Sequence, residues 1–307
     1  MQINKKVLII AATVALLVIV FTLFFFLKAA KTRTGIVPDA VVGAGRQETA
    51  GAKDASAMQS ALRVIKERPD SPKAEAAYFD LAAGYENTRD LVKAREAYQK
   101  LVEKFPASRN VQKAQESIES INVKLLFLPT ITPKSMLYEV RKGDTLTRIS
   151  KKFNTTIDLI QKSNNLKGSA IKVGDKIKVP TMKFSILVDK SQNVLTLRAD
   201  GEIFKTYRVS TGKETSVTPV GTFKIVNKII NPTWYPGGGK AVPAGDARNL
   251  LGTRWMGISK PSYGIHGTTD PGSIGKSVTE GCVRLKNSDV EELYSIVPEG
   301  TEVAIID

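Results

Sequence analysis

Two stretches decide how the C-terminal part of this 307-residue chain is interpreted: YGIHGT at 263–268 and TEGCVRL at 279–285. They contain the only histidine of the chain, His266, and its only cysteine, Cys282. A cysteine nucleophile reacts as the thiolate, and an imidazole within hydrogen-bond reach can take the thiol proton. Glycines beside both residues let a substrate approach the backbone, and the amides of Gly281 and Cys282 could face a developing oxyanion. Spacing alone leaves a second interpretation open, in which Cys282 is a small buried residue and His266 an ordinary loop residue.

The single cysteine and single histidine exclude several classes of site. One cysteine cannot form an internal disulfide, so the chain is not a disulfide-stapled scaffold. Zinc sites built from several Cys and His side chains are excluded, as are centres that need several thiolates. A carboxylate site for a hard cation stays open. We expect no metal and no organic cofactor.

The sequence around these two stretches has the pattern of short β-strands. Apolar residues alternate at 184–188 and 194–197, and Ser191-Gln192-Asn193 between them is typical of a hairpin turn. Gly and Pro punctuate the remainder of the region. Many short strands at this spacing predict an all-β sandwich or barrel, and not a doubly wound parallel sheet.

Three motifs of this region together resemble the L,D-transpeptidase catalytic domain. They are TPVGTF at 218–223, HGT at 266–268 and GCVRL at 281–285, and the resemblance covers about 182–307. It implies a mostly β sandwich with the cysteine and the histidine in a covered groove. The chain as a whole is then expected to be multidomain α+β.

The resemblance also implies a role for each matching residue. Cys282 is the expected nucleophile and His266 the general base and acid, with the backbone carbonyl of Gly267 orienting the imidazole. Gly281 belongs to the expected oxyanion region. Arg284 occupies the place of a fixed family arginine that organises the site or meets a substrate carboxylate.

The chain departs from the family pattern just before the cysteine. Many members have His in the position of Glu280, so any help that this His gives to the oxyanion is missing. A carboxylate without a counter-charge would raise the pKa of the neighbouring thiol, and Arg284 or Lys276 could offset that effect. Asn287 and Tyr263 are weaker candidates for the site.

The activity implied by the resemblance is acyl transfer on peptidoglycan stem peptides. A thioester on the cysteine would pass to the amine of a second stem and form a 3–3 cross-link, or to another amine. Two alternatives stay open: an L,D-carboxypeptidase or other hydrolase on the same scaffold, and a wall-binding scaffold without activity.

Residues 138–181 predict a small module with the order strand, helix, helix, strand. The stretch YEVRKGDTLTRIS at its start and IKVP at its end resemble a LysM domain, which implies binding to N-acetylglucosamine-containing glycans. The glycan positions implied by the family groove are Thr145, Leu146, Asn165 and Ile171. The alternative is that these residues only cap and pack a small fold, which is the better interpretation for Leu146.

Residues 58–125 predict helices. Apolar residues recur there at helical spacing, as in Tyr78, Leu81, Ala82 and Tyr85. About one unit, 75–108, resembles a tetratricopeptide repeat, which implies either a groove for a protein partner or a spacer. Fewer than three repeats favour the spacer. A proline-containing linker is predicted at 126–137.

The N-terminal residues 1–35 predict a signal anchor. The 21 residues from Val7 to Leu27 carry no charge, Gly or Pro and suffice to cross a bilayer as a helix. A cleaved signal peptide has a shorter apolar region. A linker is predicted at 36–57. An anchor, a glycan binder and a peptidoglycan enzyme in one chain predict a single-pass membrane protein whose catalytic domain is extracytoplasmic.

The charge of the chain is consistent with that location. There are 45 Lys and Arg against 30 Asp and Glu, a formal net charge of +15. Such an excess predicts an anionic partner such as a membrane surface or a cell-wall polymer, or only a soluble, lysine-rich surface. No nucleic-acid-binding motif is present, so no nucleic acid partner is expected.

Overall fold

The structure is a computed structural model that describes residues 44–237 and 239–307. The predicted membrane anchor, 7–27, lies outside the described residues and stays a prediction. Within the described ranges, no helix is both long enough and apolar enough to cross a bilayer.

Four helices form the first part of the described chain. They are α1 (Ala44–Glu67), α2 (Pro72–Asn87), α3 (Leu91–Lys104) and α4 (Val111–Phe127). Residues 44–57 are therefore helical, where the sequence predicted a linker. The residues 52–68 contain no Gly or Pro and are rich in helix formers, which outweighs the glycines before them.

The helices α2 and α3 pack as a pair. Ser71 caps α2 by accepting a hydrogen bond from Ala74 N, and Pro72 fits the first turn. Alanines and leucines from both helices share one apolar cluster with α4, which includes Ala77, Leu81, Ala94, Leu101 and Ile121. Helices are thus present where they were predicted. The resemblance to a tetratricopeptide repeat is not confirmed and stays a prediction.

The predicted strand–helix–helix–strand module is present. It consists of β1 (Ser135–Glu139), α5 (Leu146–Lys152), α6 (Ile157–Ser163) and β2 (Lys176–Pro180). The two strands pair antiparallel, and Thr145 and Thr156 cap the two helices through their hydroxyl oxygens. The linker predicted at 126–137 is shorter in the structure, because α4 continues to Phe127 and β1 begins at Ser135.

The remaining strands build the C-terminal domain. They are β3 (Phe184–Asp189), β4 (Val194–Ala199), β5 (Glu202–Arg208), β6 (Thr211–Gly212), β7 (Gly221–Ile230), β8 (Arg254–Ile258), β9 (Gly264–His266), β10 (Ser277–Thr279), β11 (Val283–Arg284) and β12 (Glu302–Ile306). One helix, α7 (Asn287–Ile296), follows β11. Eight strands form one sheet in the order β11-β9-β8-β7-β12-β3-β4-β5, and β10 pairs with β6.

The eight-stranded sheet is curled on itself, where the sequence predicted an all-β sandwich or barrel. The long strand β7 explains this, because its residues 221–224 pair with β12 and its residues 225–230 pair with β8. A register shift between Ile225 and Asn227 marks the change of partner. Both halves of the sheet contribute to one core, which includes Ile186, Leu197, Met256, Ile265 and Leu293.

Helix α4 joins the helical segment to the C-terminal domain. Its Ile121 and Leu125 belong to the helical cluster, whereas Val123 and Leu126 belong to the core of the curled sheet. The carboxylate of Glu119 accepts hydrogen bonds from the backbone N–H and the hydroxyl of Thr206 on β5. The helix therefore covers the edge strand of the sheet, whose backbone groups would otherwise be free to pair with another chain.

Candidate active site

The parallel strands β9 and β11 bring the two predicted stretches together. Val283 lies opposite Ile265, and Arg284 lies opposite His266. Val283 and Ile265 point into the core, where each is almost fully buried. Since side chains alternate along a strand, His266, Arg284 and the preceding Cys282 lie on the other face of the sheet.

The imidazole of His266 is held in one tautomer. Its Nδ1 atom lies 2.7 Å from the carbonyl oxygen of Gly267. A carbonyl oxygen only accepts hydrogen bonds, so Nδ1 carries the proton in this contact. In the neutral ring, Nε2 then holds the free lone pair and is the atom that can accept a proton.

The imidazole is also deeply buried. His266 is 4% exposed, and its ring stacks on the indole of Trp255 with 6.0 Å between centroids. Burial lowers the pKa of His266 to about 4, with a smaller contribution from the positive charge of Arg284. At neutral pH the ring is therefore an uncharged base.

The thiol of Cys282 is partly exposed at the same face of the sheet. Its Sγ atom lies 3.7 Å from the carbonyl oxygen of Ser262. Burial raises the pKa of the thiol, while the backbone N–H of Gly264 and the charge of Arg284 act in the opposite direction. At neutral pH the two groups are thus a neutral thiol and a neutral imidazole.

Gly281 has a positive φ, as expected for a glycine in this turn, but its backbone N–H already donates a hydrogen bond. Its φ is +106°, and a Cβ atom there would lie 2.7 Å from the ring of Tyr263. Its N–H donates to Thr279 Oγ1 at 3.2 Å, and the Thr279 hydroxyl donates to the carbonyl oxygen of Cys282. The N–H of Cys282 donates to no acceptor within the described residues, so it is the freer donor for an oxyanion.

Arg284 is tied into the scaffold through backbone and side chain. Its N–H and C=O pair with Ser210, and its Nη1 atom donates to Ser273 Oγ at 3.1 Å. Its Nε atom is buried and finds no partner within the described parts of the chain. These contacts are those of a residue that organises the site and places a positive charge beside Cys282 and His266.

Glu280 does not oppose the thiol. Its carboxylate pairs with Lys213 Nζ at 2.5 Å, and this ion pair together with a hydrogen bond to Ser216 lowers the pKa of Glu280. Its side chain is 74% exposed, and it is not among the groups that shift the pKa of Cys282. Lys213 is therefore the counter-charge of the Glu280 carboxylate, while Arg284 lowers the pKa of the thiol, as the sequence predicted for one of two nearby cations.

Several residues of the site were not predicted as such. Thr279 lies within the quoted motif, but its role in closing the turn around Gly281 depends on geometry alone. Trp255 contacts His266 because β8 pairs with β9, a register that no local pattern gives. Asn287, predicted as a weaker candidate, accepts hydrogen bonds from Thr253 N and Thr268 N.

The four predicted glycan positions have different environments. Leu146 is 2% exposed and belongs to the core of the module. Thr145 caps α5, and Ile171 packs half-buried against the same core. Asn165 is exposed and lines an open cavity of about 630 Å³ with Phe127 of α4.

Comparison with known proteins assigns the chain to a family. YkuD of Bacillus subtilis (strain 168), named as a candidate L,D-transpeptidase, is 37% identical over 176 residues, which cover 55% of this chain and 98% of the relative. The chain belongs to the L,D-transpeptidase family. YkuD of Bacillus licheniformis, named in the same way, is 39% identical over 177 residues, with 55% of this chain and 98% of the relative covered.

The family models agree with this assignment and locate its two domains. The L,D-transpeptidase catalytic domain matches residues 183–305, and the LysM domain matches 138–180. The resemblances to the L,D-transpeptidase catalytic domain and to the LysM domain are thereby confirmed.

A solved structure of the family is also similar. The catalytic domain of an Enterococcus faecium L,D-transpeptidase is 25% identical with a TM-score of 0.35, and the match covers 40% of this chain and 97% of that one. Because this TM-score is below 0.5, the family assignment rests on the sequence relatives and the two family models.

Proposed function

We propose that this L,D-transpeptidase forms 3–3 cross-links between peptidoglycan stem peptides through a thioester on Cys282. The observation that carries the proposal is the hydrogen bond from His266 Nδ1 to the carbonyl oxygen of Gly267. It leaves Nε2 free as a proton acceptor on the face of the sheet where Cys282 lies.

The first half-reaction releases D-alanine. The thiol proton of Cys282 passes to Nε2 of His266 while the sulfur attacks the carbonyl carbon of the third stem residue. The oxyanion that forms is stabilised by the N–H of Cys282. The imidazolium returns the proton to the leaving amine, the C–N bond breaks, and a thioester remains on Cys282.

The low pKa of the imidazole favours the return of the proton to the leaving amine. Burial disfavours the imidazolium, so the charged ring gives up its proton readily. While the imidazolium exists, its Nδ1–H donates to the carbonyl oxygen of Gly267, which stabilises the charge. Arg284 adds a positive charge that favours the thiolate as it forms. The site therefore needs no preformed ion pair at rest.

The second half-reaction transfers the acyl group to an amine. His266 takes a proton from the side-chain amine of a second stem peptide, the nitrogen attacks the thioester, and the sulfur leaves with a proton. Water as the nucleophile would give L,D-carboxypeptidation, and a protein lysine would give attachment to the wall.

The domains outside the catalytic centre support an extracytoplasmic, wall-associated enzyme. The LysM domain is proposed to bind N-acetylglucosamine-containing glycan, with the exposed Asn165 as its best-placed side chain among the four predicted. The apolar residues 7–27 are proposed to anchor the chain in the cytoplasmic membrane. The net charge of +15 favours an anionic envelope.

The test is mass spectrometry of purified disaccharide-tetrapeptides incubated with the full chain and with its Cys282→Ala variant. We expect 3–3 dimers, released D-alanine and a Cys282 thioester adduct with the wild type only. Tripeptides without dimers would identify a carboxypeptidase. The same product pattern from both proteins would contradict the proposal, and wall binding alone would then favour a scaffold.

A further inference from the structure

The carbonyl that orients His266 belongs to a peptide unit whose other end is also held. The C=O of Gly267 and the N–H of Thr268 are the two ends of one planar peptide group. The oxygen accepts the Nδ1–H of His266 at 2.7 Å, and the N–H donates to Asn287 Oδ1 at 3.0 Å. A rotation of this peptide group would break both hydrogen bonds at once.

The same amide oxygen holds a second segment. Asn287 Oδ1 also accepts the N–H of Thr253, at 3.2 Å, just before β8. The fit is close, since a Cβ atom on either Gly252 or Gly267 would lie 2.2 Å from this oxygen. Two glycines thus leave the space that the Asn287 side chain occupies.

Asn287 is itself fixed by the core. It is the first residue of α7, whose Val290, Leu293 and Ile296 are fully buried. The Oδ1 atom of Asn287 is therefore held rigidly, and it fixes the Gly267–Thr268 peptide group. Without this hydrogen bond the peptide group could rotate, because glycine has wide backbone freedom.

We infer that Asn287 is a positioning residue, whose Oδ1 fixes the Gly267–Thr268 peptide so that His266 keeps its proton on Nδ1. This inference rests on the proposed function for its kinetic consequence, but the tautomer itself can be measured without any reaction. Without the anchor, the carbonyl can turn away and the ring can exchange to the tautomer with the proton on Nε2, which cannot accept the thiol proton.

The single histidine makes the experiment direct. Nitrogen-15 NMR of the full chain, labelled at histidine, reports only the ring of His266. We expect a protonated Nδ1 in the wild type and a shift toward Nε2-protonated ring in Asn287→Ala. With the tetrapeptide substrate, kcat should fall about 10–100-fold with little change in KM, as for a small displacement of a catalytic group.

Two variants separate positioning from a general loss of structure. Asn287→Asp keeps an acceptor oxygen in place and should keep the Nδ1-protonated tautomer, while its added charge should raise the pKa of His266. Asn122→Ala removes a buried side-chain amide far from the site, which donates to the backbone carbonyl of Phe204, and should leave both tautomer and kcat unchanged.

The outcomes are distinct. An unchanged tautomer in Asn287→Ala, or an Asn287→Asp variant that loses the Nδ1 proton, would overturn the inference. If Asn287→Ala does not fold, the NMR result for Asn287→Asp decides the inference by itself: a retained Nδ1 proton upholds it and a lost one overturns it. A tautomer shift in a protein whose wild type forms no thioester would uphold the positioning role and refute the proposed function.

Discussion

The ammonium group of Lys178 lies 2.6 Å from the carbonyl oxygen of Leu125, and so connects the LysM strand β2 to the end of helix α4. It also donates to the carbonyl oxygens of Leu126 and Leu128. A helix leaves its last four carbonyls without intrahelical partners and carries partial negative charge there, which a buried cation satisfies. Burial lowers the pKa of Lys178 to about 8.

Replacing Lys178 should loosen the contact between the LysM domain and helix α4. Lys178→Met keeps the apolar stem but leaves buried carbonyls without a donor, at a cost of about 1–3 kcal/mol in the free energy of unfolding. Urea unfolding and limited proteolysis at 128–134 measure the effect. Lys176→Met, an exposed change on the same strand, is the control and should be neutral. Equal stability of the two variants would show that Lys178 contributes no such contact.

Stability should fall in mild acid because of His266. The unfolded imidazole takes a proton near pH 6.5 and the folded one only near pH 4, so the unfolded state binds more protons between these values. The contribution is complete above pH 6.5 and is lost as the pH falls, by about 3 kcal/mol at pH 4. The measurement is urea unfolding from pH 7.5 to 4 for the wild type and His266→Gln. The difference between the two curves should change with pH, and a constant difference would contradict the assigned burial.

The alkylation rate of Cys282 should keep rising at pH values at which an ordinary thiol is already largely ionised. Burial raises its pKa, so the thiolate is scarce at neutral pH and the reaction rate with iodoacetamide should still rise above pH 9. With one cysteine in the chain, mass spectrometry reports this thiol alone, and Cys282→Ala gives the background. A rate that is already constant below pH 8 would indicate a preformed thiolate–imidazolium pair.

Removing the charge of Glu280 should have little effect on catalysis. Its carboxylate is exposed and paired with Lys213, and surface pairs of this kind contribute little because solvent screens them. Glu280→Gln and Lys213→Met should each change kcat/KM by less than about fivefold. A much larger loss in Glu280→Gln alone would mean that the carboxylate takes part in the reaction. Arg284→Met, which removes the charge beside the thiol, is the sensitive comparison and should lower kcat/KM strongly.

The sequence predicted the helices and strands better than it predicted which of them contact one another. The capped helices of the LysM domain follow from Thr145 and Thr156 at the starts of periodic segments, since such signals lie within a few residues of one another. The single curled sheet could not be read in this way. Strand β7 pairs with β12 at one end and β8 at the other, and both halves look locally like any alternating strand.

In the candidate site, too, the local motifs were predictable from the sequence and the long-range contacts were not. The flanking motifs of His266 and Cys282 identified the pair, and the glycines predicted a turn that needs positive φ at Gly281. The pairing of Glu280 with Lys213 could not be predicted, because Lys213 is 67 positions away and reaches Glu280 only when the two loops meet. The Gly281 N–H, expected to face the oxyanion, instead donates to the hydroxyl oxygen of Thr279, a contact that only the folded turn shows.

The sequence alone determined the family and the two recognised domains and pointed to the candidate Cys–His pair, because these depend on residue types at short fixed spacings. The tertiary structure alone decided how the parts are joined. Asn122 meets Phe204 across 82 positions, and Thr156 meets Ser295 across 139. Such contacts form only when distant elements bury a common core, and their partners are chosen by the packing of the whole chain, which no local pattern records.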